Sequence, residues 1–138
     1  MNISLNQVQG RVPVGILSIQ GDLDASNFQE LIAKAKEVYD TGTRHILLDL
    51  SNTPFMSSSG LVALHSAALL LQGKQPLDPE YGWTTVHAVR QVADADHSVT
   101  QHVKLLNPQP KVRRTLEKAG LNEFFEIHTD LATAIASF

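Results

Sequence analysis

Cysteine is absent from all 138 residues, which excludes disulfides, thiolate metal sites and cysteine redox chemistry together. A chain of this kind is compatible with a reducing compartment, and a cytoplasmic location is the expectation. Positive charge is not in excess either. Eleven Lys and Arg stand against fourteen Asp and Glu, a net charge of −3, so no sequence-wide basic field exists to hold phosphate backbones and direct nucleic-acid binding is not expected. Long apolar runs are missing too. The longest apolar-rich stretch, Leu61 to Leu71, is interrupted by His65 and Ser66 and is too short to cross a bilayer, so it reads as a buried helix and no membrane insertion is expected. Met1 to Gly10 has no basic segment followed by an apolar one, so no secretory signal is read there.

What is present suits one soluble domain. Apolar residues make up 43% and charged residues 18% of a chain long enough to bury a single core. Ile3 to Val8 and Val12 to Ile19 are β-rich and predict two strands that pair through a turn near Gly10. Phe28, Leu31, Ile32, Ala35 and Val38 fall at helical spacing, with Ser26 and Gln29 in the form of a capping box, and Gly42 is the expected stop. "RHILLDLS" gives Ile46, Leu47, Leu48 and Leu50 as a strand covered on both faces. Strand, helix and strand in this order favour a parallel pair with a right-handed crossover. The expected fold is therefore α/β: one domain with a mostly parallel sheet of four or five strands and helices mainly on one face.

Further along, "HVKLLN" predicts another short strand, and "PQPKVRRTLEKAG" a helix with prolines at its start and Gly120 at its stop. Phe124 to Ile127 predicts the last strand. Thr129 or Asp130 can cap a closing helix in which Leu131, Ala134, Ile135 and Phe138 share a face. The stretch from about 73 to 101 breaks this rhythm and reads as an insertion, with Tyr81 and Trp83 able either to anchor a partner or to tuck the insertion onto the domain. His87, Asp94, Asp96, His97 and His102 are metal-ligand types, but their spacing meets no metal motif, and no metal is expected. Lys111, Arg113, Arg114 and Lys118 read as a solvated basic face.

The feature that calls for chemistry is "DLSNTPFMSSSGLVAL", residues 49–64, where Ser57, Ser58 and Ser59 stand between a strand and a helix with Gly60 behind them. Unpaired N–H groups and the helix dipole make such a junction favourable to anions. The row can be a helix cap, a nucleophile or a phosphate acceptor. It lacks the G-x-S-x-G elbow of hydrolases and a histidine predictably beside Ser58, and it lacks the lysine of a phosphate-binding loop. A small serine hydrolase is the least favoured outcome, and a plain cap with Gly60 packed closely the plainest. Asp22 and Asp24 most simply form a solvated pair ahead of the first helix, with Asp24 kept as a candidate partner contact.

The order of the whole set resembles a family. Gly21-Asp22-Leu23-Asp24, a capped helix, "ILLDLSNTPFMSSSGLVAL" and "VKLLNPQPKVRRTLEKAGLNEFFEIHTDLATAI" look like the STAS domain of bacterial anti-sigma factor antagonists. Asp49, Ser51, Phe55 and the Ser58 to Leu61 tetrad recur at family spacing, over about the first 72 and last 37 residues, with the insertion outside the match. The resemblance implies a regulator and not an enzyme, one that needs no cofactor. It implies an anti-sigma factor serine kinase as partner, Ser58 as the phosphorylated residue, and a binding surface of Asp24, Ser57, Ser58, Ser59 and Gly60. Ser59 is the expected local cap. Members usually carry Asp immediately before the phosphorylated serine, where this chain has Ser57, and that departure makes Ser57 the alternative acceptor and a non-switching scaffold subunit of a stressosome-like or transport complex the alternative function.

Overall fold

The computed structural model describes residues 2–71, 102–120 and 125–138. Its sheet grows from the alternation in the first twenty residues. β1 (Asn2–Gln9) and β2 (Pro13–Gln20) pair antiparallel along their whole length, from Asn2 opposite Gln20 to Gln9 opposite Pro13, and the Gly10 N–H closes the turn on the Val12 carbonyl at 3.1 Å. Helix α1 (Phe28–Asp40) carries the chain across, burying Phe28, Leu31, Ala35 and Val38 at one-turn intervals, and ends at Thr41 before Gly42, whose φ of +92° no L side chain adopts easily. β3 (Ile46–Asn52) then pairs parallel with β2. Helix α2 (Ser58–Leu71) returns to β4 (Val103–Leu106), α3 (Pro110–Ala119) leads to β5 (Ile127–His128), and α4 (Leu131–Ala136) closes the chain. The five strands lie in the order β1-β2-β3-β4-β5, parallel except for the first pair.

Period-two alternation divides the sheet's residues between two cores. Leu17, Ile19, Ile46, Leu48, Leu50, Val103 and Leu105 face α1, α2 and α3, while Val14, Ile16, Leu47 and Leu106 face the other way, against α4. Among the described residues three helices lie on one face and one on the other, in keeping with the expectation of helices mainly on one face. Helix α2 is buried nearly all round, as its composition demands. Helix α3 buries only Val112 and Leu116 and leaves its four basic residues in solvent, stopping at Gly120 in the left-handed conformation.

Some expectations need correction. The capping box at Ser26 and Gln29 does not form: Asn27 precedes the first residue of α1 without a side-chain cap, because the Ser26 hydroxyl is spent on Asp24. Leu131 is 45% exposed and does not share the face packed on the sheet, which Ala134 and Ile135 supply within α4 and Phe138 just after it. The last strand starts later than expected, at Ile127. The insertion at about 73–101, with Tyr81, Trp83, His87, Asp94, Asp96 and His97, lies outside the described residues.

Candidate functional site

The site is built where β2 and β3 run out side by side. One residue before that point β3 gains a place on β2, since Ser18 faces Asp49 but Gln20 faces Asn52. The slip disturbs the ladder at Ile19, and the buried Thr53 hydroxyl donates to the Ile19 carbonyl at 2.9 Å. Gly21, at a φ of +103°, turns the chain out of β2 while its N–H holds the Asn52 carbonyl at 3.0 Å. The two loops then meet once more. Leu23 bridges Met56: the Leu23 N–H donates to the Phe55 carbonyl at 3.0 Å and the Ser57 N–H to the Leu23 carbonyl at 2.9 Å. Leu23 and Met56 are both fully buried, so they anchor from below a strip whose next residues are Asp24 on one side and Ser57 and Ser58 on the other.

Gly60 makes this approach possible. A Cβ there would stand 2.5 Å from Met56 Cγ and 3.2 Å from Leu23 Cγ and Cδ2, closer than carbon atoms can sit without displacement. Gly60 is buried, so its contribution is to let α2 start directly beneath the bridge.

The loop after β2 is held by Asn27, which the sequence reading passed over. Its Oδ1 accepts from the Asp24 N–H at 2.9 Å and its Nδ2 donates to the Asp22 carbonyl at 2.8 Å. Asp24 accepts at one carboxylate oxygen from both the hydroxyl and the N–H of Ser26, at 2.5 and 2.9 Å, and these bonds, the hydroxyl first, hold its pKa below the usual carboxylate value, so it is an anion at neutral pH. The run "DASN", with three short polar side chains around one alanine, is the signal that could have revealed this turn.

The three serines take three positions. Ser57 precedes the first helical residue, and its carbonyl accepts from the Gly60 and Leu61 N–H groups at 3.0 and 3.3 Å. Its Oγ is buried and finds no hydrogen-bond partner. Ser58 is the first residue of α2 and is exposed, and Ser59, the second, is partly exposed. The cap position therefore belongs to Ser57, and the expectation that Ser59 caps is corrected: Ser59 is the second residue of α2, and it is the Ser57 carbonyl that accepts the first intrahelical bonds. No acidic side chain lies in that turn. Phe55 stands beside the row, 44% exposed and one of two large apolar side chains left so open among the described residues.

Among the described residues no group of three His, Asp or Glu is placed to hold a metal ion. His102, a candidate ligand type, stacks on His45 at 5.1 Å and donates its Nδ1–H to the Arg44 carbonyl, 2.8 Å away and before the start of β3, at the far end of the sheet. His65 is fully buried within α2, whereas Ser58 is exposed at its first turn. No helix among the described residues is long and apolar enough to cross a membrane.

A family model for the STAS domain matches residues 6–75, from the second half of β1 through the end of α2. The chain belongs to the STAS domain family. BtrV of Bordetella bronchiseptica, a protein named as an anti-sigma factor antagonist, is 25% identical over all of this chain and 95% of its own length. Among solved structures, the anti-sigma factor antagonist SpoIIAA in its unphosphorylated form aligns with a TM-score of 0.58 at 20% identity, covering 97% of this chain and 93% of that one. The phosphorylated form of SpoIIAA, a Bacillus cell fate determinant, aligns with a TM-score of 0.54 at 19% identity, covering 97% and 96%. These likenesses establish the fold, a STAS α/β domain, and the residues matched by the family model include Asp24 and the whole serine row.

Proposed function

We propose that this chain is an anti-sigma factor antagonist: unphosphorylated, it binds an anti-sigma serine kinase through the surface of Asp24, Ser57, Ser58 and Ser59, and phosphorylation of Ser58 ends the binding. The observation that carries the reading is the contrast within the row. Ser58 presents its hydroxyl to solvent on the first turn of α2, whereas Ser57 Oγ is buried, so a kinase can reach the former without unfolding the loop. This favours Ser58 over Ser57 as the acceptor. SpoIIAA aligns with this chain in both its unphosphorylated and its phosphorylated form, which supports a family in which such a modification leaves the fold standing.

The physics of the switch follows from where the charge would land. A phosphate carries about −1.5 to −2 at neutral pH and suits the N-terminus of a helix whose first turn holds no acid, so the domain accepts it. The partner does not. The strip already carries the Asp24 anion and the exposed Phe55, and a dianion added to it brings repulsion and a desolvation cost to the contact. The kinase brings the ATP, and this chain requires no cofactor.

The test is capture from the native lysate with wild type, Ser58→Ala and Ser58→Asp, with mass spectrometry on both the captured protein and the bait. Wild type and Ser58→Ala are expected to retain a protein with an ATP-binding serine kinase domain, Ser58→Asp to lose it by about a hundredfold, and phosphate to appear on Ser58 alone. Equal capture by Ser58→Asp would sink the switch and leave the non-switching scaffold. Phosphate on Ser57 would move the site.

A further inference from the structure

The two edges of the sheet are treated differently by the sequence. β5, at one edge, is two residues long, with Glu126 ahead of it and His128 within it. Brevity and charge are the ordinary protections of an edge, because a free row of N–H and C=O groups otherwise templates another strand. β1, at the other edge, has none of these. Asn2–Gln9 runs for eight residues, holds no charged side chain and no proline, and pairs with β2 without a bulge. Among the described residues β2 is its only neighbour in the sheet.

We propose that β1 pairs antiparallel with β1 of a second copy, joining two sheets into one of ten strands in a two-fold dimer. Self-pairing suits this strand in three ways. An uncharged segment meets its own copy without placing like charges opposite each other. An antiparallel pair of identical strands is two-fold symmetric and closes at two copies. The side chains also match on each face. With the axis at Leu5, the helix-side residues Ile3, Leu5 and Gln7 of one copy lie opposite Gln7, Leu5 and Ile3 of the other, and Ser4 lies opposite Asn6.

Space for the incoming strand exists on the helix side. A groove of about 360 Å³ runs there between β1 and α1, lined by Asn2, Ile3, Glu30, Ala33, Lys34 and Glu37. Ile3 and Leu5, which are only half-buried in one chain, gain cover from their counterparts. The seam uses the outer edge of β1, whereas the serine row stands beyond the ends of β2 and β3, so the dimer leaves Ser58 open.

Sedimentation equilibrium of the whole chain up to about 200 µM tests this, since self-association follows mass action. A dimer is expected for wild type. The double substitution Ser4→Lys with Asn6→Lys places lysines against each other across the seam, on exposed positions outside both cores, and should raise the dimer dissociation constant at least about tenfold with an unchanged far-UV CD spectrum. A second measurement uses the lack of cysteine: Leu5→Cys should give a disulfide-linked dimer on mild oxidation. A wild type that stays monomeric, a dimer indifferent to the two lysines, or a Leu5→Cys chain that does not crosslink would overturn the proposal.

Discussion

Helices α2 and α4 each begin just past the carboxyl end of a parallel strand, α2 after β3 on one face of the sheet and α4 after β5 on the other. At α4 the chain supplies its own anion. Asp130 caps the helix, its carboxylate accepting from the Thr133 N–H at 2.8 Å and the Thr133 hydroxyl at 2.7 Å. At α2 the cap residue is Ser57, whose hydroxyl is turned inward without a partner, and no acid follows in the first turn. One N-terminus is closed by a carboxylate from within. The other keeps its positive end unanswered and sets an exposed hydroxyl, Ser58, beside it. The difference separates a helix start built to finish a fold from one suited to receive a charge added later.

The largest effect on this contrast should come from beneath the α2 start. Gly60→Ala puts a methyl group into the packing of Met56 and Leu23, and overpacking of this kind costs about 1–3 kcal/mol. Urea unfolding should show a lower midpoint with an unchanged slope, and partner capture should fall as the Leu23–Met56 bridge loosens. An unchanged midpoint would mean that the bridge is slack and that Asp24 and Ser58 are not held together.

Acid should separate the two faces next. Burial, then the nearby His102 and Lys104, hold the His45 pKa below its ordinary value, and its ring packs on Phe138, 5.4 Å away, on the α4 side. The unfolded chain takes up a proton at this histidine below about pH 6.5 while the folded one resists it, so its contribution is whole above that pH and drains as the pH falls. Buried Lys104 adds a second step: it pairs with Glu126 at 3.0 Å, and although burial raises the Glu126 pKa, the hydrogen bond and charge of Lys104 outweigh it and the net shift is downward. Asp130 is likewise depressed, chiefly by the Thr133 hydroxyl, and its stabilising charge is lost at still lower pH. Asp24 shares that later carboxylate step, while the His45 step lies on the α4 side. Lowering the pH from about 7.5 to 5.5 should therefore reduce the thermal midpoint of wild type by a few degrees and that of His45→Phe by less. Equal losses would place the acid sensitivity elsewhere.

The sequence carried the order of elements and not their polar finishing. Ile46 to Leu50 could be read as a central strand because both of its faces are apolar, and α3 because proline opens it and glycine closes it. These are local signals, complete within a few residues. Ser26 misled because a cap and an Asx turn use the same residue types, and Asp24, two residues away, won the hydroxyl. Lys104 was unreadable as a buried residue, since the Ser137 carbonyl that it reaches at 2.8 Å and its carboxylate partner come from far along the chain. The serine row was legible as a junction from the residues alone, but its division into a buried hydroxyl and an exposed one depends on the bridge between Leu23 and Met56, which joins two loops after the crossover and leaves no local trace.

The smallest change carries the sharpest contrast. Replacing an N-cap serine by alanine ordinarily costs about 1 kcal/mol, because an N–H of the first turn loses its acceptor. Ser57 Oγ has no partner to lose, and the turn is held by its carbonyl, which alanine keeps. Removing a buried hydroxyl that makes no bond relieves a desolvation cost, so Ser57→Ala should leave unfolding free energy within about 0.5 kcal/mol of wild type or raise it. Asp130→Ala, at the closed start of α4, should lower the thermal midpoint measurably, since two bonds end on that carboxylate. Side by side in the same denaturation experiment, the pair tests whether α2 and α4 are finished differently. If Ser57→Ala costs as much as an ordinary cap, then its hydroxyl does serve the helix, α2 is closed like α4, and its N-terminus does not stand ready for a phosphate on Ser58.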